Sequence, residues 1–158
     1  MNQPSAVAGP FAVARPSRWP RLRLHVIVAV FVGGCLGGWA RYAITRTWPA
    51  DDGSFPWATL YVNVAGALIL GLVVAASSVL SSRFVRPLLG TGFCGAFTTF
   101  SAVVVTTDQL FAHRHQGVAV AYLAASALAG LVAAALGVVL GRALLSSRHR
   151  ARAKRSQS

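Results

Sequence analysis

The amino-acid sequence predicts an all-α membrane protein with four transmembrane helices, the third of them broken. Three observations carry this reading. Of 158 residues, 55% are hydrophobic and only 11% charged, with a mean hydropathy of +0.59, whereas a soluble domain is about a quarter charged. The apolar residues gather into four long runs with the charges at their ends, each near the roughly 20 residues that a spanning helix requires. The third run places Gly90, Gly92 and Gly95 just ahead of Thr98 and Thr99, which are poor helix formers. Irregular backbone at membrane depth is tolerated only where it is buried in protein or lines a water-filled path. The stretch from Leu89 to Ser101 therefore predicts an ion site or pore, the alternative being close helix packing through small residues.

In chain order, residues 1–23 read as a disordered arm rich in Pro, Ala and Arg. The first span runs from Leu24 to about Thr45, with Gly33, Gly34, Gly37 and Gly38 in two overlapping G-x-x-x-G spacings that let another helix approach. Those glycines and the later spans argue against a cleaved signal peptide. Trp48, Pro49, Asp51, Asp52 and Gly53 supply turn chemistry. Pro56 opens the second span, where a missing N–H is harmless, and Trp57 and Tyr61 suit an interface. Asn63 lies within this span, followed by Gly66 on roughly the same face. An amide in hydrocarbon needs a partner, which is either an interhelical hydrogen bond or a permeating ion. Ser81 to Arg86 forms a short basic loop, Pro87 starts the third span and Ala112 to Gln116 is a polar link. The fourth span covers Gly117 to Gly141, with Tyr122 and Ser126 one turn apart and small residues at Ser126, Gly130, Gly137 and Gly141. Residues 142–158 form a basic tail, read as solvated or bound to headgroups.

The net charge of +12 comes from 15 Lys and Arg against three acidic residues. Their placement at span ends points to a membrane flank rather than to nucleic acid. Four spans put both termini on one side. That side collects Arg15, Arg18, Arg21, Arg23, Arg83, Arg86 and the six cations from Arg142 onward, leaving only Arg41, Arg46 and Arg114 opposite. The positive-inside rule then predicts cytoplasmic termini in a multi-pass cell-membrane protein. Cys35 and Cys94 read as small packing residues, and His113 and His115 lack the further ligands that a metal would need. No nucleophile or acid–base constellation appears, so an enzyme is not expected.

Three motifs, in order and each on its own span, now carry a resemblance. G-G-x-x-G-x-x-x-R-Y at Gly33 to Tyr42, F-P-W-x-T-x-x-V-N-x-x-G at Phe55 to Gly66 and G-T-G-F-C-G-x-F-T-T-F-S at Gly90 to Ser101 are similar to the CrcB/Fluc family of fluoride channels. The resemblance covers nearly everything from Leu24 to Gly141. It implies a small four-helix subunit, an antiparallel dimer with two pores, a structural Na+ at the dimer centre and export of toxic cytoplasmic F−. It further implies that Phe100 and Asn63 line the pore, that Gly95 and Thr98 bind Na+ through their carbonyls, and that Arg41 serves a vestibule or structural role. The residue chemistry agrees: Thr99 and Ser101 offer hydroxyls, Asn63 an amide N–H and Phe100 a positive ring edge, while Tyr122 and Ser126 fit the fourth-helix polar track.

The departures are specific. The family's second pore phenylalanine is replaced by Val103, a frequent glutamate by Thr106, and Leu128 and Val132 stand where a hydroxyl track is expected to continue. A homodimer of this kind must insert both ways, whereas twelve cations against three favour one orientation. The expectation is therefore a heterodimer with an oppositely oriented sister subunit, the homodimer being the alternative. Two other functions remain open. A small multidrug exporter shares the size but needs a membrane-embedded carboxylate, and only Asp108 comes near. A non-transporting assembly protein accounts for the glycines but leaves Asn63 without a purpose.

Overall fold

A computed structural model describes residues 23–51, 53–76 and 84–155, with side chains to residue 147. Four helical segments within it are long and apolar enough to cross a membrane, and no strand occurs among the described residues. The chain is a multi-pass membrane protein. The first span is α1, Leu24–Thr47, and the second is α2, Trp57–Ala75. The third opens with a π-helical segment, Pro87–Cys94, runs into the short α3, Gly95–Phe97, and resumes as α4, Phe100–Ala112. The fourth is α5, Gln116–Arg155.

Local chemistry sets several of these boundaries. The Thr45 and Thr47 hydroxyls donate to the Arg41 and Ala43 carbonyls at 3.0 and 2.9 Å, satisfying polar groups in the last turn of α1. Pro49 follows the C-cap Trp48 and cannot continue the ladder. Gly53 turns the connection with φ +72°, a conformation that glycine adopts without penalty. Pro56 occupies the cap of α2, with Trp57 its first helical residue.

Two backbone-to-backbone crossings assemble the bundle. A Cβ on Gly33 would strike the Leu88 carbonyl, one on Gly37 the Phe93 carbonyl and one on Gly92 the Val30 carbonyl. The α1 and π-helical backbones are thus in direct contact. Of the two overlapping glycine spacings in α1, it is Gly33 and Gly37 that make this contact, while Gly38 faces open space. The second crossing joins α2 to α5, where Gly71 and Gly137 abut each other and Gly141 meets Ala75. Dispersion and close approach drive helix association in lipid, where burial of apolar surface gives no advantage. Leu60 of α2, Val103 of α4 and Tyr122 of α5 form a buried cluster, flanked by Phe55 and Val64. Phe31, Trp39, Leu128 and Leu131 face outward, as lipid-contacting positions do.

Two boundaries differ from the sequence reading. The glycine cluster does not interrupt the third span: Gly90 and Gly92 lie within continuous π-helical turns, and extended backbone appears only afterwards, at Thr98 and Thr99. Close packing of Gly92 against α1 holds this segment helical despite the low propensity of glycine, while Gly90 faces Val73 of α2. The basic tail, expected to leave the helix near Gly141, continues α5 to Arg155. It contains no Pro or Gly after Gly141, and its cations suit the negative end of the helix dipole. Residues 1–22 of the proposed arm, Asp52, the end of the second span at residues 77–80, the loop residues 81–83 and residues 156–158 lie outside the described residues.

Candidate functional site

The backbone between α3 and α4 is extended at Thr98 (φ −81°, ψ 150°) and Thr99 (φ −149°, ψ 118°). Asn63, from the middle of α2, pairs with this stretch on both sides of its amide. Its Oδ1 accepts the Thr99 N–H at 2.8 Å, and its Nδ2 donates to the Thr99 carbonyl at 3.2 Å. An amide nitrogen carries two donors, so one N–H remains beyond this pairing. The Thr99 Oγ1 caps α4 by accepting the Ala102 N–H at 3.2 Å, and the Thr98 Oγ1 donates to the Cys94 carbonyl at 2.8 Å. Gly66 makes room, since a Cβ there would collide with the Thr98 Cγ2.

These bonds redirect two donors. In an unbroken α-helix the Thr99 N–H would reach the Gly95 carbonyl and the Ala102 N–H the Thr98 carbonyl. Both are instead held by side-chain oxygens. Gly95 and Thr98, the pair that the resemblance assigns to Na+, are therefore among the carbonyls at this break that lose their helical donors, and they are the two whose donors are taken by side-chain oxygens. Such oxygens fit a hard cation. Gly95 is exposed, with open space where a Cβ would stand.

Two cavities meet at Thr99. One, of about 310 Å³, is lined by Asn63, Thr98, Thr99, Phe100, Val103 and Ser126 among others, with no charged side chain in its wall. Phe100 is 78% exposed there. The other, of about 370 Å³, is lined by Arg41, Tyr42, Thr45, Thr59, Val62, Thr99 and Ala102. Asn63, Thr99, Phe100 and Ser126 are thus brought together, while Arg41 sits across Thr99 from them. The Ser101 hydroxyl is 3.0 Å from that of Thr99, but Ser101 lines neither cavity.

Tyr122 is fully buried, with its ring edge-on to Phe55, and does not line the neutral cavity. Its hydroxyl and the Ser126 Oγ are buried without a hydrogen-bond partner among the described residues, although Ser126 and Thr59 are the polar neighbours of Tyr122. Buried hydroxyls rarely stay unpaired. The sequence pattern marks Thr59 only as a motif position, and Gly66 only as sharing the face of Asn63, without the clearance for Thr98 that it provides. Thr59 precedes Asn63 by one helical turn, and that spacing is the signal that points to it.

Residues 28–138 match the family described as CrcB-like protein, Camphor Resistance (CrcB). The chain belongs to this family. Among its relatives, the Fluoride-specific ion channel FluC 3 of Streptomyces avermitilis is 44% identical over 140 residues, covering 87% of this chain and 69% of that one. FluC 1 of Streptomyces coelicolor is 41% identical over 144 residues, 89% of this chain and 93% of the relative. FluC 1 of Mycolicibacterium paratuberculosis is 42% identical over 118 residues, covering 73% and 89%. The CrcB-like match begins within α1 and ends within α5, so it contains both cavities and the extended threonines. The basic continuation of α5 lies beyond it.

Proposed function

We propose that this chain is a subunit of a fluoride-specific channel that lets F− leave the cytoplasm and so relieves fluoride toxicity. The observation that carries the reading is the neutral cavity at the Asn63–Thr99 pairing, in a chain 41–44% identical to relatives named for fluoride conduction. Fluoride is small and strongly hydrated. A path for it must replace water with hydrogen-bond donors, yet add no buried cation that would trap it, because conduction needs weak, multiple sites. The remaining Asn63 N–H, the hydroxyls of Thr99 and Ser126, and the ring edge of Phe100 supply such donors, with the Ser101 hydroxyl acting on that of Thr99 from outside the cavity. Tyr122 stands behind them, buried beside Ser126. Arg41 attracts the anion into the second cavity without touching the neutral one.

The proposal extends to assembly. The Gly95 and Thr98 carbonyls would hold a structural Na+, where the ion supplies a fixed positive charge that keeps the extended backbone in place. The openness of Gly95 supports an arrangement in which an antiparallel copy completes this site. The charge asymmetry supports cytoplasmic termini in a cell membrane and pairing with an oppositely oriented sister subunit, which would also supply the aromatic that Val103 lacks.

Fluoride-electrode measurements of efflux from proteoliposomes test this reading, run with the chain alone and together with a paralogue from its own genome. Fluoride efflux well above chloride efflux in either preparation supports it, and release of neither anion in both refutes it. Robust efflux from the chain alone would retain the channel and remove the heterodimer.

A further inference from the structure

We infer that Asn63 is a positioning residue for the cation site as well as a donor to the anion path, its two amide ends dividing these roles. The inference rests on the reading that Gly95 and Thr98 hold Na+. It goes further by assigning the side chains that make those carbonyls available. The Thr99 N–H has two competing acceptors: the Gly95 carbonyl, which a continuous helix would supply, and the Asn63 Oδ1, which holds it at 2.8 Å. The second acceptor frees the first. Thr99 repeats the device one step on, because its Oγ1 takes the Ala102 N–H that would otherwise close on the Thr98 carbonyl.

Each freed oxygen thus depends on one side-chain oxygen accepting one backbone N–H. Removing that acceptor leaves a membrane-buried N–H unpaired, which is costly in lipid. The nearest remedy is to restore the helical bond, and that consumes the carbonyl. The donor end of the amide is not needed for this step. It holds the Thr99 carbonyl at 3.2 Å and carries a second N–H, on a residue that lines the neutral cavity. Oδ1 therefore serves the cation and Nδ2 the anion, so the two sites are linked through one side chain, independently of the distance between the ions.

The experiment measures Na+-dependent thermal stabilisation of the purified full-length chain in detergent, with sodium exchanged for N-methylglucamine at constant ionic strength, and fluoride efflux in parallel. The wild type is expected to melt higher with sodium, since a ligand bound only by the folded state stabilises it. Asn63→Ala should lose this sodium-dependent shift, or need at least about tenfold more sodium to reach it. Asn63→Asp keeps an acceptor oxygen but loses the donors, so it should keep the shift while efflux falls. Thr99→Val removes the capping acceptor without changing volume and should weaken the shift, and Thr99→Ser should retain it. If the wild type shows no sodium shift, the cation reading fails and the inference with it. If the wild type shows one and Asn63→Ala and Thr99→Val keep it unchanged, the cation reading stands and the inference is overturned. Should Asn63→Ala not fold, the contrast of Asn63→Asp with the near-isosteric Thr99→Val and Thr99→Ser decides alone.

Discussion

Replacing Gly66 with alanine places a methyl group where the Thr98 Cγ2 now lies and within 3.1 Å of the Phe97 ring. Ordinary carbon–carbon contact is about 3.5–4.0 Å, so Thr98 must retreat by roughly 1 Å. It cannot retreat freely. Its hydroxyl is tied to the Cys94 carbonyl at 2.8 Å, and the next residue is held on both backbone groups by Asn63. The movement strains or breaks one or two of these bonds, each worth about 0.5–1.5 kcal/mol net. A barrier raised by about 0.5–3 kcal/mol slows ion passage about 2- to 150-fold, and overpacking of this size destabilises by about 1–3 kcal/mol. Fluoride efflux from proteoliposomes and a melting curve read the two effects separately. Gly130→Ala is the control: a Cβ there meets nothing within 4 Å, so melting and efflux should stay near wild type. The double variant Gly66→Ala/Thr98→Ser removes the colliding methyl while retaining the hydroxyl, and it should recover most of the flux. Efflux within twofold of wild type for Gly66→Ala, or a double variant no better than the single one, would refute the argument that Gly66 sets the position of the extended threonines.

Other expectations are independent of this contact. Phe100→Ile removes the ring edge at the most exposed part of the neutral cavity. Efflux should fall more than about tenfold while the melting temperature changes little, since few contacts are lost within the subunit. Gly137→Leu should lower stability by more than about 3 kcal/mol or abolish folding, because the side chain would enter the Gly71 backbone; size-exclusion profiles and thermal melts check this. Ending the chain after Gly141 leaves six basic residues beside the termini against three opposite. An N-terminal reporter should then reveal a larger fraction of inverted insertion than in the full chain.

Composition and charge placement made the four spans readable, because lipid imposes a length and an apolar character that few other environments demand. The positions of Asn63, Thr99, Phe100 and Ser126 around one cavity were also within reach, the first three through motifs on the second and third spans and Ser126 through its spacing from Tyr122 on the fourth. What the residues did not disclose is how the glycines of the third span behave. Gly92 has low helix propensity in isolation, yet contact with Val30 and Gly33 holds it in a π-helical turn, and that contact is tertiary. Likewise, nothing in the one-dimensional pattern says that the Asn63 amide grips a backbone 36 positions away. Tyr122 illustrates the converse. Its spacing from Ser126 marks a shared face correctly, but the face is turned inward by Phe55 and Val103, so the phenol supports the cavity from behind.

The fourth span carries a consequence beyond permeation. At about 1.5 Å per residue, its 40 residues measure about 60 Å, twice the thickness of the hydrocarbon layer. The helix therefore outruns the bilayer, and its sequence contains no acidic residue. A group attached at Arg155 will be held well clear of the membrane-spanning part of the helix, and the basic sequence between favours anionic lipid beside it.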